Sequence, residues 1–257
     1  MKWTLILLGL MAAALIFAPQ IAPYDPMQTA PDQMMQPPGV EHPFGTDAFG
    51  RDVFSRLLYG GQRTLAITIF ATTTTVLAGL CLGLVASAAG GWFERMVLSF
   101  INALLAFPSL LLALIILTLL GTGAVPLALA AGLSQVGAYA SIVRSAVITV
   151  HPALYIEAAL VMGADSRHIF LRHILPNIQP TITAYAGVMF SYNLLNSAAL
   201  SFLGLGGAPG VPDWGVMLAD GRAVLRAAPW MSLAPGIAIT LVVMAVNHLA
   251  SGINRRL

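Results

Sequence analysis

Long apolar stretches alternate with short polar segments along the chain, and four of these stretches contain no Asp, Glu, Lys or Arg. They cover residues 64–93, 96–143, 173–212 and 227–254. A helix of about 20 apolar residues crosses the roughly 30 Å hydrocarbon core of a bilayer, and charged side chains are costly inside it. The pattern therefore predicts helices that span a membrane.

Within this pattern we predict six membrane-spanning helices. Their approximate ranges are 3–21, 64–88, 96–120, 125–142, 178–205 and 230–250. The composition agrees, because 58% of the residues are hydrophobic and 9% are charged, whereas soluble domains carry about 25% charged residues. Pro108 is expected to kink the third helix. The predicted fold class is thus all-α, a polytopic membrane protein.

The basic residues predict the orientation of the chain in the membrane. With six spans, the side that holds both termini carries seven Lys and Arg residues and the other side carries five. The positive-inside rule therefore places the N- and C-termini in the cytoplasm. Residues 1–22 are predicted to be a membrane anchor, with a cleaved signal peptide as the alternative. The other predicted regions are an outer loop with a short amphipathic helix at 23–63, a five-helix core at 64–250 and a cytoplasmic tail at 251–257.

The predicted cytoplasmic loop, residues 144–177, is unlike the rest of the chain. Its stretch YIEAALVMGADSRHIFLRHILPN joins an apolar half to a basic half. Gly163 suits the end of a first helix, because glycine adopts the left-handed conformation readily. Asp165 or Ser166 suits the cap of a second helix, which Pro176 is expected to end. The loop is therefore predicted to be helix–turn–helix.

The apolar half of this loop would be exposed outside the membrane. Exposed apolar helices usually mark an interaction site, and the groove of a partner protein is a natural place for such a helix. A seventh span over residues 145–164 is the alternative. It would place Glu157 inside the membrane, which is energetically unfavourable.

Several motifs in order carry a resemblance to a known family. EAALVMG, followed by Leu175 and Pro176, resembles the EAA loop of ABC-importer permeases. HPFGTDAFGRDVFSRLLYG, LLAFPSLLLAL, LSFLGLG and WGVML resemble the C-type subunit of the dipeptide/oligopeptide/nickel branch. The resemblance covers about residues 24–247 and argues against the seventh span. The chain departs from the family at His173, where the pattern has an aliphatic residue, and at Ser197, where many members carry an acid.

The resemblance implies a type I ABC-importer transmembrane domain in the inner (plasma) membrane. The solute would be a peptide or a related small molecule, with nickel or a metal chelate included. The implied partners are a second homologous permease subunit, two ATP-binding subunits, an extracytoplasmic substrate-binding protein and the lipid bilayer. The implied ATPase-coupling residues are Glu157, Ala158, Ala159, Gly163 and Arg167.

Three polar residues of the predicted fifth span are candidates for the translocation path: Asn193, Asn196 and Ser197. Asn193 and Asn196 share a helix face because they are three residues apart. Side chains of this kind line a polar path or bond a neighbouring helix, and the sequence favours neither interpretation.

The outer loop concentrates charge in a short segment, at Asp47, Arg51, Asp52 and Arg56. Their spacing fits a short helix on the outer face of the membrane. One interpretation is local ion pairing that orders the loop, worth under about 1 kcal/mol for each exposed pair. The other is contact with a substrate-binding protein or a role in an outer gate.

Other functions find little support in the sequence. A phosphate-binding P-loop requires a lysine after a glycine-rich loop, and the one lysine is Lys2. The predicted span interiors lack Asp, Glu, Lys and Arg, which disfavours a proton- or sodium-coupled carrier. A stand-alone channel or secondary carrier is the alternative function. Cys81 has no second cysteine to pair with, and no residue cluster has the spacing of a metal, cofactor or catalytic site. No basic patch suggests nucleic acid.

Overall fold

The computed structural model describes residues 2–88, 90–150, 155–156, 161–207 and 210–254. Helices occupy most of these residues, and no strand occurs among them beyond a single bridge between Thr46 and Asp52. The helices are α1 Lys2–Ile16, α2 Ala18–Ile21, α3 Val53–Ala88, α4 Gly91–Ala106, α5 Ser109–Leu120, α6 Ala124–Ser134, α7 Val136–Val150, α8 Ser166–Ile169, α9 Leu175–Phe202, α10 Trp214–Arg222 and α11 Trp230–Asn254.

Three segments of the described chain are long and apolar enough to cross a membrane as single helices. They are Val53–Ala88, which is α3, Ala124–Val150, which is α6 and α7 taken together, and Trp230–Gly252, which lies in α11. The α4–α5 pair adds a fourth if it counts as one broken span. At 28 residues, α9 is also long enough to span, but its polar residues give it a lower mean hydropathy than the three. The number of six spans and the cytoplasmic termini remain predictions.

The third predicted span is broken, as Pro108 led us to expect. Helix α4 ends at Ala106, α5 begins at Ser109, and their axes differ by 98°. Phe107 and Pro108 between them have extended backbone angles. Proline has no N–H and crowds the preceding turn, which favours a break at this point.

Helix α3 lies at the centre of the bundle, in contact with α6, α7 and α9, while α9 also packs on α11. Two glycines let α3 approach α7 closely. A Cβ atom at Gly79 would lie 3.0 Å from the Cβ of Tyr139, and one at Gly83 would lie 2.6 Å from the carbonyl oxygen of Ala140. A larger residue at either position would push the two helices apart.

Helix α3 begins at Val53, well before residue 64, where the second span was predicted to begin. The charged residues of its first turns are accommodated because backbone carbonyl oxygens of the outer loops accept their hydrogen bonds. Arg56 donates to the carbonyl oxygens of Pro26 and Gly210, and Arg63 donates to that of Gly206.

The prediction that Pro176 ends a short helix was wrong. A π-helical turn, Phe170–Ile174, joins α8 to α9, and the helix continues through Pro176. Pro176 lies in the first turn of α9, where proline is tolerated because the N–H groups there lack partners within a regular helix.

Candidate functional sites

The predicted coupling loop joins α7 to α9. Glu157, Ala158 and Ala159 lie outside the described residues. Arg167 belongs to α8 by its backbone. Gly163 is exposed and has a φ angle of +83°, and a Cβ atom built on it meets no atom within 4 Å in the part of the chain that the structure describes. A left-handed turn that glycine adopts without strain therefore lies where the sequence predicted one.

Ile156 before the turn and Ile169 after it attach the loop to the helix bundle, since both are buried in one apolar cluster. Ile156 is 1% exposed and belongs to the same apolar cluster as Val147 of α7 and Ile178 of α9. On the basic side, the Oδ1 atom of Asp165 accepts a hydrogen bond from the backbone N–H of His168 at 2.9 Å. Asp165 thus caps α8, as predicted.

Large apolar side chains of this region remain exposed. Val161 is 89% exposed and Met162 is 80% exposed, and Leu171 and Tyr155 are about half exposed. Exposed apolar side chains of this size are typical of an interaction site in a protein region outside the membrane. The geometry is that of a firmly attached loop with an apolar outer surface.

The candidate path residues divide into two groups. Asn193 is fully buried, and its Nδ2 atom donates to the hydroxyls of Thr75 at 3.1 Å and Thr72 at 3.3 Å on α3. Ser197 is also buried and donates to the carbonyl oxygen of Leu194. Half-buried Asn196 reaches the hydroxyl of Ser109, at the start of α5, over 3.5 Å. Of the three, Asn196 alone lies beside the broken span.

The four charged residues of the outer loop are buried and do not form the short helix that the sequence suggested. Arg51 Nε lies 2.6 Å from Asp47 Oδ2, and Arg56 Nε lies 3.4 Å from the same oxygen. Asp52 precedes α3 and accepts from the backbone N–H of Ser55 at 2.7 Å, so it caps that helix. Local ion pairing thus exists, but among buried side chains, because the loop folds over them.

Residues far away in sequence complete this outer cluster. Asp220 of α10 lies 3.5 Å from Arg51, and its pKa is raised by burial, against the lowering effect of Arg56 and Arg51. His42 Nδ1 lies 2.8 Å from Asp52 Oδ1. The partnership of Arg51 with Asp220 has no signal in the outer loop, because pairing across 169 residues leaves no local pattern.

A second polar group fixes the start of α10. Asp213 caps this helix by accepting from the backbone N–H groups of Gly215 at 2.9 Å and Val216 at 3.4 Å. The hydroxyl of Thr64 on α3 also lies 3.3 Å from Asp213. Burial raises the pKa of Asp213, while these N–H groups and Arg63 oppose that shift.

Comparison with known proteins identifies the family. Residues 76–257 match the family described as "binding-protein-dependent transport system inner membrane component". The chain belongs to this family. A dipeptide transport system permease protein of Alkalihalophilus pseudofirmus is 39% identical over 238 residues, which are 93% of this chain and 78% of that protein. A glutathione transport system permease protein of Pectobacterium atrosepticum is 35% identical over 245 residues, 95% of this chain and 81% of the relative.

Solved structures agree with the fold of a binding-protein-dependent permease. The methionine ABC transporter MetNI, in inward-facing conformations, aligns with a TM-score of 0.63 and 19% identity, over 77% of this chain and 96% of that one. An amino acid ABC transporter with histidines aligns with a TM-score of 0.65 and 22% identity, over 79% of this chain and 95% of that one. At these identities the likeness shows the fold alone.

The family settles the class of protein. This inner-membrane permease is a subunit of a binding-protein-dependent ABC importer, and its relatives are transport subunits rather than enzymes. The family implies ATP-binding subunits and a substrate-binding protein as partners. The resemblance drawn from the sequence motifs is therefore confirmed, while the roles of individual residues remain predictions.

Proposed function

We propose that this permease carries dipeptides, or a small peptide of the glutathione kind, across the inner membrane in an ATP-driven importer. The observation that carries the proposal is the identity of 35–39% with dipeptide and glutathione permeases over more than nine-tenths of the chain. The relatives' names support peptides rather than nickel or a metal chelate. A second, homologous permease subunit completes the path, and two ATP-binding subunits supply the energy.

The loop between α7 and α9 is the proposed coupling element. Glu157, Ala158 and Ala159 form the segment that an ATP-binding subunit grips, and Arg167 supports it. Gly163 ends that segment with a turn that needs no side chain, and exposed Val161 and Met162 offer apolar contact area nearby. Small residues at positions 158 and 159 allow close approach of the partner.

Attachment of the loop at both sides makes it a suitable lever. Ile156 and Ile169 are buried in one apolar cluster with residues of α7 and α9, so a force on the loop passes to two long helices. When the ATP-binding subunits close, each moves one permease subunit as a rigid body. Rocking of the pair then switches access from one side of the membrane to the other.

The remaining candidate residues take two different roles in this proposal. Asn196, half-buried beside the broken α4–α5 span, contacts the solute on its way. Asn193 and Ser197, which are buried, hold the walls of the path in place. Polar side chains between helices stabilise a membrane bundle by about 0.6–2 kcal/mol for each contact.

The outer charged cluster supports the surface that receives the substrate-binding protein. Asp47, Arg51, Asp52 and Arg56 are too buried to form that surface themselves. They fix the loop by joining residues 33–56 to α10 through Asp220.

Reconstitution tests the proposed function. The chain is expressed with the proteins encoded beside it, purified, placed in proteoliposomes and supplied with binding protein and a radiolabelled dipeptide. We expect uptake that requires ATP and that unlabelled dipeptide or glutathione reduces, while nickel has no effect. Uptake without ATP would support a stand-alone channel or carrier, and uptake of nickel alone would contradict the peptide proposal.

A further inference from the structure

A partly open cavity of about 390 Å³ lies between α7 and α9, the two helices that the coupling loop connects. We call it the α7–α9 groove. Six polar residues line it, together with apolar neighbours: Ser141, Ser145, Thr149, Asn177, Thr181 and Tyr185. Among the residues that the structure describes, the lining contains no Asp, Glu, Lys or Arg.

The polar residues form two facing stripes. On α7 they occur at every fourth position from Ser141, and on α9 at every fourth position from Asn177. Residues four apart lie on the same face of a helix. Each helix therefore turns one polar face toward the other.

The groove extends well into the depth of the bundle. Tyr185 lies ten residues after the start of α9, which corresponds to about 15 Å along a helix, or half the hydrocarbon thickness of a bilayer. Its hydroxyl and the carboxamide of Asn177 gain hydrogen bonds from water or polar groups but not from lipid tails. Lipid is therefore a poor occupant, and a polar solute is a good one.

The lining has the chemistry that suits a peptide backbone. Hydroxyl and carboxamide groups both donate and accept hydrogen bonds, as the N–H and C=O groups of a peptide require. Two of the six side chains already bond the helix backbone, since Thr149 donates to the carbonyl oxygen of Ser145 and Asn177 to that of His173. The described part of the lining carries no charged residue, so it would hold a peptide weakly and through its backbone rather than through side-chain charge.

We propose that the α7–α9 groove is a weak, transient binding site for the backbone of the transported peptide, on the coupling-loop side of the path. This inference rests on the proposed function. Because the coupling loop joins α7 to α9, a force on the loop acts on both walls of the site. Release of the peptide is thereby tied to the movement of the ATP-binding subunits.

Cysteine labelling tests the site in the assembled transporter. Cys81, the one native cysteine, is first replaced by serine. Ser145→Cys and Thr181→Cys place a thiol in the groove. Ile148→Cys and Thr183→Cys are the matched controls, since both positions are exposed on the same helices but do not line the groove. N-ethylmaleimide is applied with and without a saturating dipeptide during ATP turnover.

We expect the dipeptide to slow labelling at the two groove positions and not at the two controls. Labelling of the groove should lower peptide uptake by about tenfold. This is the lower end of the change in activity that one misplaced group in a binding pocket causes. ATP hydrolysis should continue in the labelled transporter. Equal protection at groove and control positions, or uptake that survives groove labelling, would overturn the inference.

Two further outcomes separate this inference from the proposed function. If the groove cysteines cross-link to the second permease subunit and never react with the reagent, the groove is a subunit interface and not a peptide site. If the Cys81→Ser transporter assembles but takes up no peptide, the proposed function fails and the peptide site falls with it. Uptake in that variant, together with unprotected groove cysteines, rejects the groove alone.

Discussion

Gly163 allows the coupling loop to be perturbed without disturbing its surroundings. The residue is exposed, its φ angle is +83°, and no atom of the described residues lies within 4 Å of an added Cβ. A substitution there meets no steric clash, so its effect comes from the backbone conformation alone. Valine strains that conformation most, alanine less, and asparagine tolerates it.

The magnitude follows from the cost of a left-handed residue. For residues other than glycine and asparagine, this left-handed conformation is less favourable by about 1–2 kcal/mol. That free energy corresponds to roughly a fivefold to thirtyfold change in the population of the native turn. Because the turn is exposed, we expect Gly163→Val to redirect the segment that grips the ATP-binding subunit while the helix bundle keeps its stability.

The assay is peptide uptake per ATP hydrolysed in proteoliposomes with equal amounts of assembled transporter. We expect Gly163→Val to lower this ratio by about fivefold or more and Gly163→Asn to leave it near the original value. Gly163→Pro should also uncouple transport, because proline cannot adopt a positive φ. Thermal unfolding in detergent checks that each variant folds.

Two results would refute the reasoning. An uptake ratio for Gly163→Val equal to that of the unmodified protein would show that the turn does not direct coupling. A ratio for Gly163→Asn as low as that for Gly163→Val would show that side-chain size, not the backbone angle, matters at this position.

Three further predictions concern residues that the structure places in defined contacts. Asp213→Ala should lower the free energy of unfolding by about 1–2 kcal/mol, since it removes the cap of α10, whereas Asp213→Asn keeps the cap. Because burial raises the pKa of Asp213, the folded state binds a proton on this carboxyl group more tightly than the unfolded state does. Stability should therefore fall as the pH rises from 3.8 through the raised pKa, and thermal unfolding of Asp213→Asn should lack this contribution. Arg144 lies 2.9 Å from Glu94 and joins α7 to α4. Replacing either Arg144 or Glu94 by a neutral residue should lower the free energy of unfolding by at most about 1 kcal/mol, because both side chains are partly exposed. Exchanging the two residues should restore the stability, as measured by thermal unfolding. Asn193→Leu should lower the free energy of unfolding by about 0.6–2 kcal/mol, because it removes the hydrogen bonds from the Asn193 side chain to Thr72 and Thr75 on α3; unchanged stability would show that those bonds do not hold the bundle.

Local patterns in the sequence were enough to predict many of the helices. Charge-free stretches indicated the apolar helices, and Pro108 indicated the 98° break between α4 and α5. Asp165 and Gly163 indicated the cap and the turn of the coupling loop. In each case the signal is carried by one residue or by a periodic pattern, and the structural effect is short in range.

The outer cluster and the continuity of α9 were not predictable in this way. Arg51 and Asp220 meet across 169 residues, so nothing in the outer loop alone showed that its charges are buried. Pro176 was read as the end of a helix, but it lies in the first turn of α9 instead. These misses share a cause, because tertiary contacts decided the outcome where the local signal allowed more than one structure.

Release of the ATP-binding subunits by a single substitution tests the central claim most directly. The tagged chain is expressed with its neighbouring genes, and the proteins that co-purify are identified. We predict that a second permease and the ATP-binding subunits come with it. Ala159→Arg should release the ATP-binding subunits, whereas Val40→Arg, at a fully exposed position of the outer loop, should not. A chain that purifies alone, or that keeps its ATP-binding subunits despite Ala159→Arg, would contradict coupling through this loop.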